Sequence, residues 1–156
     1  MQKQKERNGY QNEDGFLHAF TEKERSAIVE TMVETMVETK GNALNEGKKI
    51  ITGDSVFLLS LEELSWFDEA GISKLAAPTE AAIEQDKSKW YQIAVSSYEI
   101  EEYCWWLREP AEGTASKAYL VGNGYTQDNL QIKNVGLEGF GIRPAITVDI
   151  QAAFGG

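Results

Sequence analysis

One cysteine and one histidine stand among 156 residues, and these scarcities exclude several chemistries. Cys104 alone cannot form an internal disulfide, so packing must hold the fold together. That suits a reducing compartment. Any Ser-His-Asp or Cys-His site would have to use His18, which lies among Leu17, Ala19 and Phe20 just before a helix pattern. No G-x-S-x-G elbow accompanies it. One histidine and one cysteine cannot make a zinc site without carboxylates. We assign no catalytic residue, no metal and no cofactor from the sequence.

Long apolar runs are absent too. No stretch approaches the ~20 residues of a membrane span. The opening MQKQKERNGYQNEDG is polar and lacks the apolar centre of a signal peptide. The expected location is cytoplasmic for the sequence as written, or extracytoplasmic if a leader or upstream domain was removed. Neither a P-loop nor G-x-G-x-x-G occurs, and Gly122-Asn123-Gly124 lies between two strand patterns, where no phosphate cradle forms. No EF-hand loop is present. Positive charge is also short: 15 Lys and Arg against 25 Asp and Glu give a net charge of −10. Without a basic patch, that field repels nucleic acid and anionic membrane. It favours cationic or neutral ligands, although solubility alone accounts for an acidic surface.

What is present reads as a globular α+β chain. Hydrophobic residues make up 42% and charged residues 26%, an ordinary balance for one packed domain. Residues 1–15 form a polar lead-in, 16–150 a single α+β domain and 151–156 a tail. TEKE at 21–24 is a capping box. A helix is expected from there to about residue 38, with Ile28, Met32 and Met36 at spacing four and a TMVE repeat at 31–38. VFLL at 56–59 reads as a buried strand. SLEE at 60–63 is a second capping box, opening a helix that Gly71 ends. Thr79 caps a third helix, TEAAIEQD. From Trp90 the pattern turns β: WYQIAV, CWWLR, KAYLVG, LQIKNV and GIRPAITVDI, with Asn123-Gly124 as a type I′ hairpin turn. Helices first and strands last predict N-terminal helices packed on a twisted antiparallel sheet.

The stretch CWWLREP, at 104–110, carries the sharpest question. On a strand, Cys104, Trp106 and Arg108 share one face, and Trp105, Leu107 and Glu109 the other. With an indole on each face, the strand reads as central and covered twice. Core packing is favoured over a ligand platform, since buried aromatics dominate core energetics. Arg108, and Arg143 in GIRPA, form an internal polar lock or line a cleft; the lock is favoured.

VFLLS, WWLRE and GIRPA in that order resemble Domain of Unknown Function 6273, a bacterial family. Its pattern is D-x-VFLLS-x-EE, P-T, WWLRSP, a V-x-x-x-G hairpin and GVRPA. Here those are Asp54 with VFLLSLEEL, Pro78-Thr79, WWLREP, Leu120-Val121 with Gly124, and GIRPA. FLHAFTEKERSAI matches the segment before VFLLS. The family's serine after WWLR is Glu109 here, and upstream strands of the family are missing, which implies an N-terminally truncated member. WWLR with GIRPA is also similar to formylglycine-generating enzymes, whose fold is C-type-lectin-like. That implies a lectin-like scaffold. The catalytic cysteine pair of those enzymes is not carried over.

Three functional readings follow. The first is a non-catalytic binding module, whose partner is a glycan, peptide or protein. Its contacts are Asn123, Tyr125 and Asp128 in GNGYTQDN, a polar loop rather than a cation site. Trp105, Trp106, Arg108 and Arg143 are then structural. The second is a structural or interaction domain of a larger bacterial or phage-related protein. The third is an enzyme using Cys104 or carboxylates, which places a thiol beside two tryptophans where it behaves as a small hydrophobe.

Overall fold

The computed structural model describes residues 15–37, 48–86, 89, 91–93, 103–111, 116–122 and 130–155. It is mixed α+β with small sheets. The chain divides into two compact units, 1–33 with 52–57 and 146–156, and 34–51 with 58–145.

In the first unit a 3-10 turn, Phe16–Ala19, leads to α1, Glu22–Ser26. The expected capping box forms: Thr21 N–H donates to Glu24 Oε2 at 2.7 Å and Glu24 N–H to Thr21 Oγ1 at 3.3 Å. The helix then stops, against expectation. Ile28–Val29 is β1 and Thr31–Val37 is β2. A repeat of four is also two repeats of two, so TMVE fits a strand as well as a helix. The β-branched Thr31, Val33 and Thr35 take the inner face, while Met32 is 68% exposed. β-Branched side chains lose rotamer freedom in a helix and pack well on a pleated surface. β1 pairs antiparallel with β7, Thr147–Val148, as Ile28 with Val148 and Val29 with Thr147. The last helix, α4, is Ile150–Phe154, capped by Asp149, whose own amide donates to Ala27 O at 2.9 Å.

β2 pairs with β3, Lys48–Asp54. VFLL at 56–59, expected as a strand, instead runs as irregular chain after β3.

In the second unit Ser60 and Glu63 close the second capping box: Ser60 N–H donates to Glu63 Oε2 at 2.7 Å and Glu63 N–H to Ser60 Oγ at 3.0 Å. A 3-10 turn, Glu62–Leu64, runs into α2, Ser65–Ala70. Gly71 ends it in the left-handed region at φ 66°, where a side chain would be strained. Thr79 caps α3, Glu80–Gln85, accepting from Ala82 N–H at 3.2 Å. Tyr91, Gln92 and Ile93, expected as strand, form a helical turn.

The main sheet has the order β4-β5-β6, antiparallel, built from Trp105–Pro110, Lys117–Val121 and Leu130–Asn134. Leu120 and Val121 on the middle strand are fully buried. β4 is therefore a terminal strand of this sheet, not the central one. Its outer edge is covered by irregular chain: Trp106 N–H donates to Gly141 O at 3.0 Å and Arg108 N–H to Leu59 O at 3.1 Å. Of GIRPAITVDI, expected as one strand, Gly141 supplies part of that cover and only Thr147–Val148 are strand, as β7; Pro144 between them has no amide to give a ladder. Val121 pairs with Leu130, and the expected Asn123-Gly124 turn lies outside the described residues.

Candidate functional site

The face of β4 that carries Trp105 and Leu107 is the inner one, with Trp105 only 3% exposed. Burying an indole requires a partner for its N–H. Trp105 Nε1 donates to Lys74 O at 3.1 Å. Arg143 Nη1 donates to the same carbonyl at 3.0 Å. The Arg143 guanidinium carbon then lies 5.1 Å from the Trp105 ring centroid and 4.9 Å from that of Phe67. Two ring faces attract the cation and fix its plane. Burial pushes the Arg143 pKa down from its ordinary value. Among the described residues no carboxylate pairs with it.

The other face carries Trp106 and Arg108. Trp106 is half-buried, edge-on to Phe140 with centroids 5.4 Å apart. Arg108 turns to the Ser60–Glu63 turn, where its Nη1 also donates to Leu58 O at 2.8 Å. Its partner is Glu63. Burial pushes the Glu63 carboxyl up, but hydrogen bonds from Arg108 and Ser60 and the Arg108 charge outweigh that and hold its pKa low. Glu63 was legible as a capping residue. Its second role, as counter-ion to an arginine 45 positions on, has no local signature.

Above Trp105 opens a cleft of about 300 Å³. Its floor is Tyr103, Cys104 and Trp105; Pro78 and Ala82 stand on one side, Ile142 and Arg143 on the other. Backbone pairing sets its width: Tyr103 N–H donates to Ala76 O at 3.0 Å, and Gly141 N–H to Cys104 O at 2.8 Å. An adjoining hollow of about 330 Å³ shares Pro78, Tyr103 and Ile142 and continues to Tyr91, Phe140 and Asp86. Burial, then the nearby Cys104 and Asp86, push the Tyr103 phenol up. Burial also pushes the Cys104 thiol up, with Lys133 opposing weakly. Both floor groups are thereby kept protonated and neutral.

Residues 6–150 match the sequence model of a family described as Domain of unknown function (DUF6273). The chain belongs to this family. Searches of curated proteins and of solved structures found no match. In this DUF6273 domain the three family-patterned stretches meet: the turn after VFLLS holds Arg108 of WWLRE, and Arg143 of GIRPA covers Trp105. Glu109, where the family pattern has serine, reaches Leu61 N–H at 2.7 Å.

Of the sequence-expected contacts, Asn123, Tyr125 and Asp128 lie outside the described residues, as does Trp90. Trp66 is 54% exposed on α2. His18 is exposed in the first 3-10 turn. The cleft itself was not legible in the sequence. Its walls come from segments about 60 residues apart, brought together by pairings such as Ala76–Tyr103 and Cys104–Gly141 and by the shared Lys74 carbonyl. Among the described residues no three His, Cys, Asp or Glu side chains converge as a metal site, and no helix is long and apolar enough to cross a membrane.

Proposed function

We propose that this DUF6273 domain is a non-catalytic binding module on a C-type-lectin-like scaffold, taking its ligand in the cleft over Tyr103, Cys104 and Trp105. The similarity of WWLRE and GIRPA to lectin-like domains supports the scaffold. The cleft supports the binding role. It is concave, mostly apolar and floored by a rigidly held aromatic strand, with a few polar groups at its margins, as ligand sites are. Its volume suits a small molecule or one or two side chains of a peptide. Asn123, Tyr125 and Asp128 are proposed as a second contact set on the β5–β6 connection.

A fragment and glycan screen by thermal shift tests this, run on the wild type and on Ile142→Trp. Ile142 is 63% exposed, so the larger ring is tolerated by the fold while filling the cleft. Hits lost in the filled variant support the cleft. Hits that survive it but vanish in Tyr125→Ala move the site to the loop. Absence of any hit sensitive to either change defeats the proposal.

The alternative role, a structural or interaction domain of a larger protein, is favoured by one observation. Ile150 and Phe154 stand one helical turn apart on α4, and Phe154 is 81% exposed. An unpaired apolar edge of that kind marks an interaction surface. Sedimentation of the isolated chain beside Phe154→Ser would show whether it mediates self-association.

A further inference from the structure

We infer that the cleft selects a small monocarboxylate with an apolar, preferably aromatic, body, Arg143 receiving the carboxylate. The inference rests on the binding-module reading of the cleft. A guanidinium carries five N–H donors. At Arg143 one of them meets Lys74 O, and the ring faces of Phe67 and Trp105 bind the cation from the side without using its remaining donors. The neighbouring cation Lys74 is paired with Asp68 at 2.7 Å, and Arg108 with Glu63. Arg143 has no such carboxylate among the described residues, although it is half-buried and lines the cleft. A desolvated, unpaired cation is costly, and an incoming carboxylate relieves that cost with two parallel hydrogen bonds.

The rest of the cleft fixes the remainder of the ligand. Pro78, Ala82, Ile142 and the ring of Tyr103 offer apolar contact to its body. Among the described residues lining the cleft, Arg143 is the one cation, so a second carboxylate on the ligand meets apolar groups and no counter-charge. Dicarboxylates are thereby disfavoured, and the net charge of −10 slows the arrival of polyanions generally.

The test is titration of the full chain with 3-phenylpropionate, its neutral amide 3-phenylpropanamide, and adipate, followed by heteronuclear NMR. The acid is expected to bind about tenfold more tightly than the amide or adipate, as a charge-assisted bidentate pair requires. Arg143→Lys keeps the charge but loses the planar fork, and is expected to remove most of that preference. Ile142→Trp is expected to block acid and amide alike. Equal affinity for acid and amide, both lost in Ile142→Trp, overturns the carboxylate inference and leaves the cleft as a binding site. A tighter-binding adipate, or no shift at cleft residues with the acid, also overturns it. The binding-module reading is judged separately, by the broader screen against the filled variant.

Discussion

Glu63 grips Arg108 with both carboxylate oxygens: Nη1 lies 2.5 Å from Oε2 and Nη2 lies 3.0 Å from Oε1. The pair joins the Ser60–Glu63 turn to β4 where β4 loses register with β5, between Trp106 and Pro110. The β4–β5 ladder is irregular there, and the ion pair ties β4 to a different neighbour, the Ser60–Glu63 turn.

Arg108→Ala should therefore cost about 3 kcal/mol, because it leaves Glu63 without its counter-ion in a largely dry place. Arg108→Met with Glu63→Leu should recover much of the loss. Urea midpoints measure both. An unchanged midpoint for Arg108→Ala would show that the pair contributes nothing.

Two carboxylates beside Arg108 respond to pH in opposite directions. Glu63 has a native pKa below its unfolded one, so its stabilisation is present above the ordinary carboxylate range and lost as pH falls through the native value. Glu109 is raised, first by burial and further by the Glu63 charge, against the Leu61 amide and Arg108. The native chain therefore binds the Glu109 proton before the unfolded chain does. Falling pH adds stability through that window, just above the ordinary carboxylate range. Glu109→Gln should remove the rise and keep the later fall; Glu63→Gln should remove part of the fall. Denaturation midpoints across acid pH separate the two, and identical profiles for all three proteins would refute the assignment.

Gly122 follows β5 and lies against Cys104. A Cβ there would overlap Cys104 Sγ and would also stand 2.8 Å from its Cα. Gly122→Ala should cost about 1–3 kcal/mol by overpacking. Adding Cys104→Ala should not restore the loss, since the Cα and Cβ of residue 104 remain. Full rescue by that second change would show that only the sulfur is crowded.

The Cys104 thiol lines the cleft but has its pKa raised by burial. Native alkylation by iodoacetamide should run at least roughly tenfold slower than in urea, because the thiolate is the reacting form. Ile142→Trp should slow it further. Native labelling as fast as the unfolded rate would revive a reactive role for this cysteine.

Val33 is buried in β2 while Met32 points outward. Val33→Ala should cost about 1.5–2.5 kcal/mol for the two lost methyl groups. Met32→Thr should be neutral or slightly stabilising, as a β-branched residue on a strand. A large loss for Met32→Thr would contradict the strand.

Sequence alone determined the local stops and starts. The boxes at Thr21 and Ser60, the cap at Thr79 and the end at Gly71 each need only side chains within a few positions of the backbone they satisfy, so they survive any tertiary context. It also determined membership of the family, whose stretches are spaced along the chain. Only the tertiary structure decided which period TMVETMV obeys, because a spacing of four serves helix and strand equally until one face is buried. The same holds for GIRPA, whose arginine looks like any strand residue until Phe67 and Trp105 are placed beneath it. Pairing between segments dozens of residues apart leaves no mark on either one, and such pairings bring the walls of the cleft together.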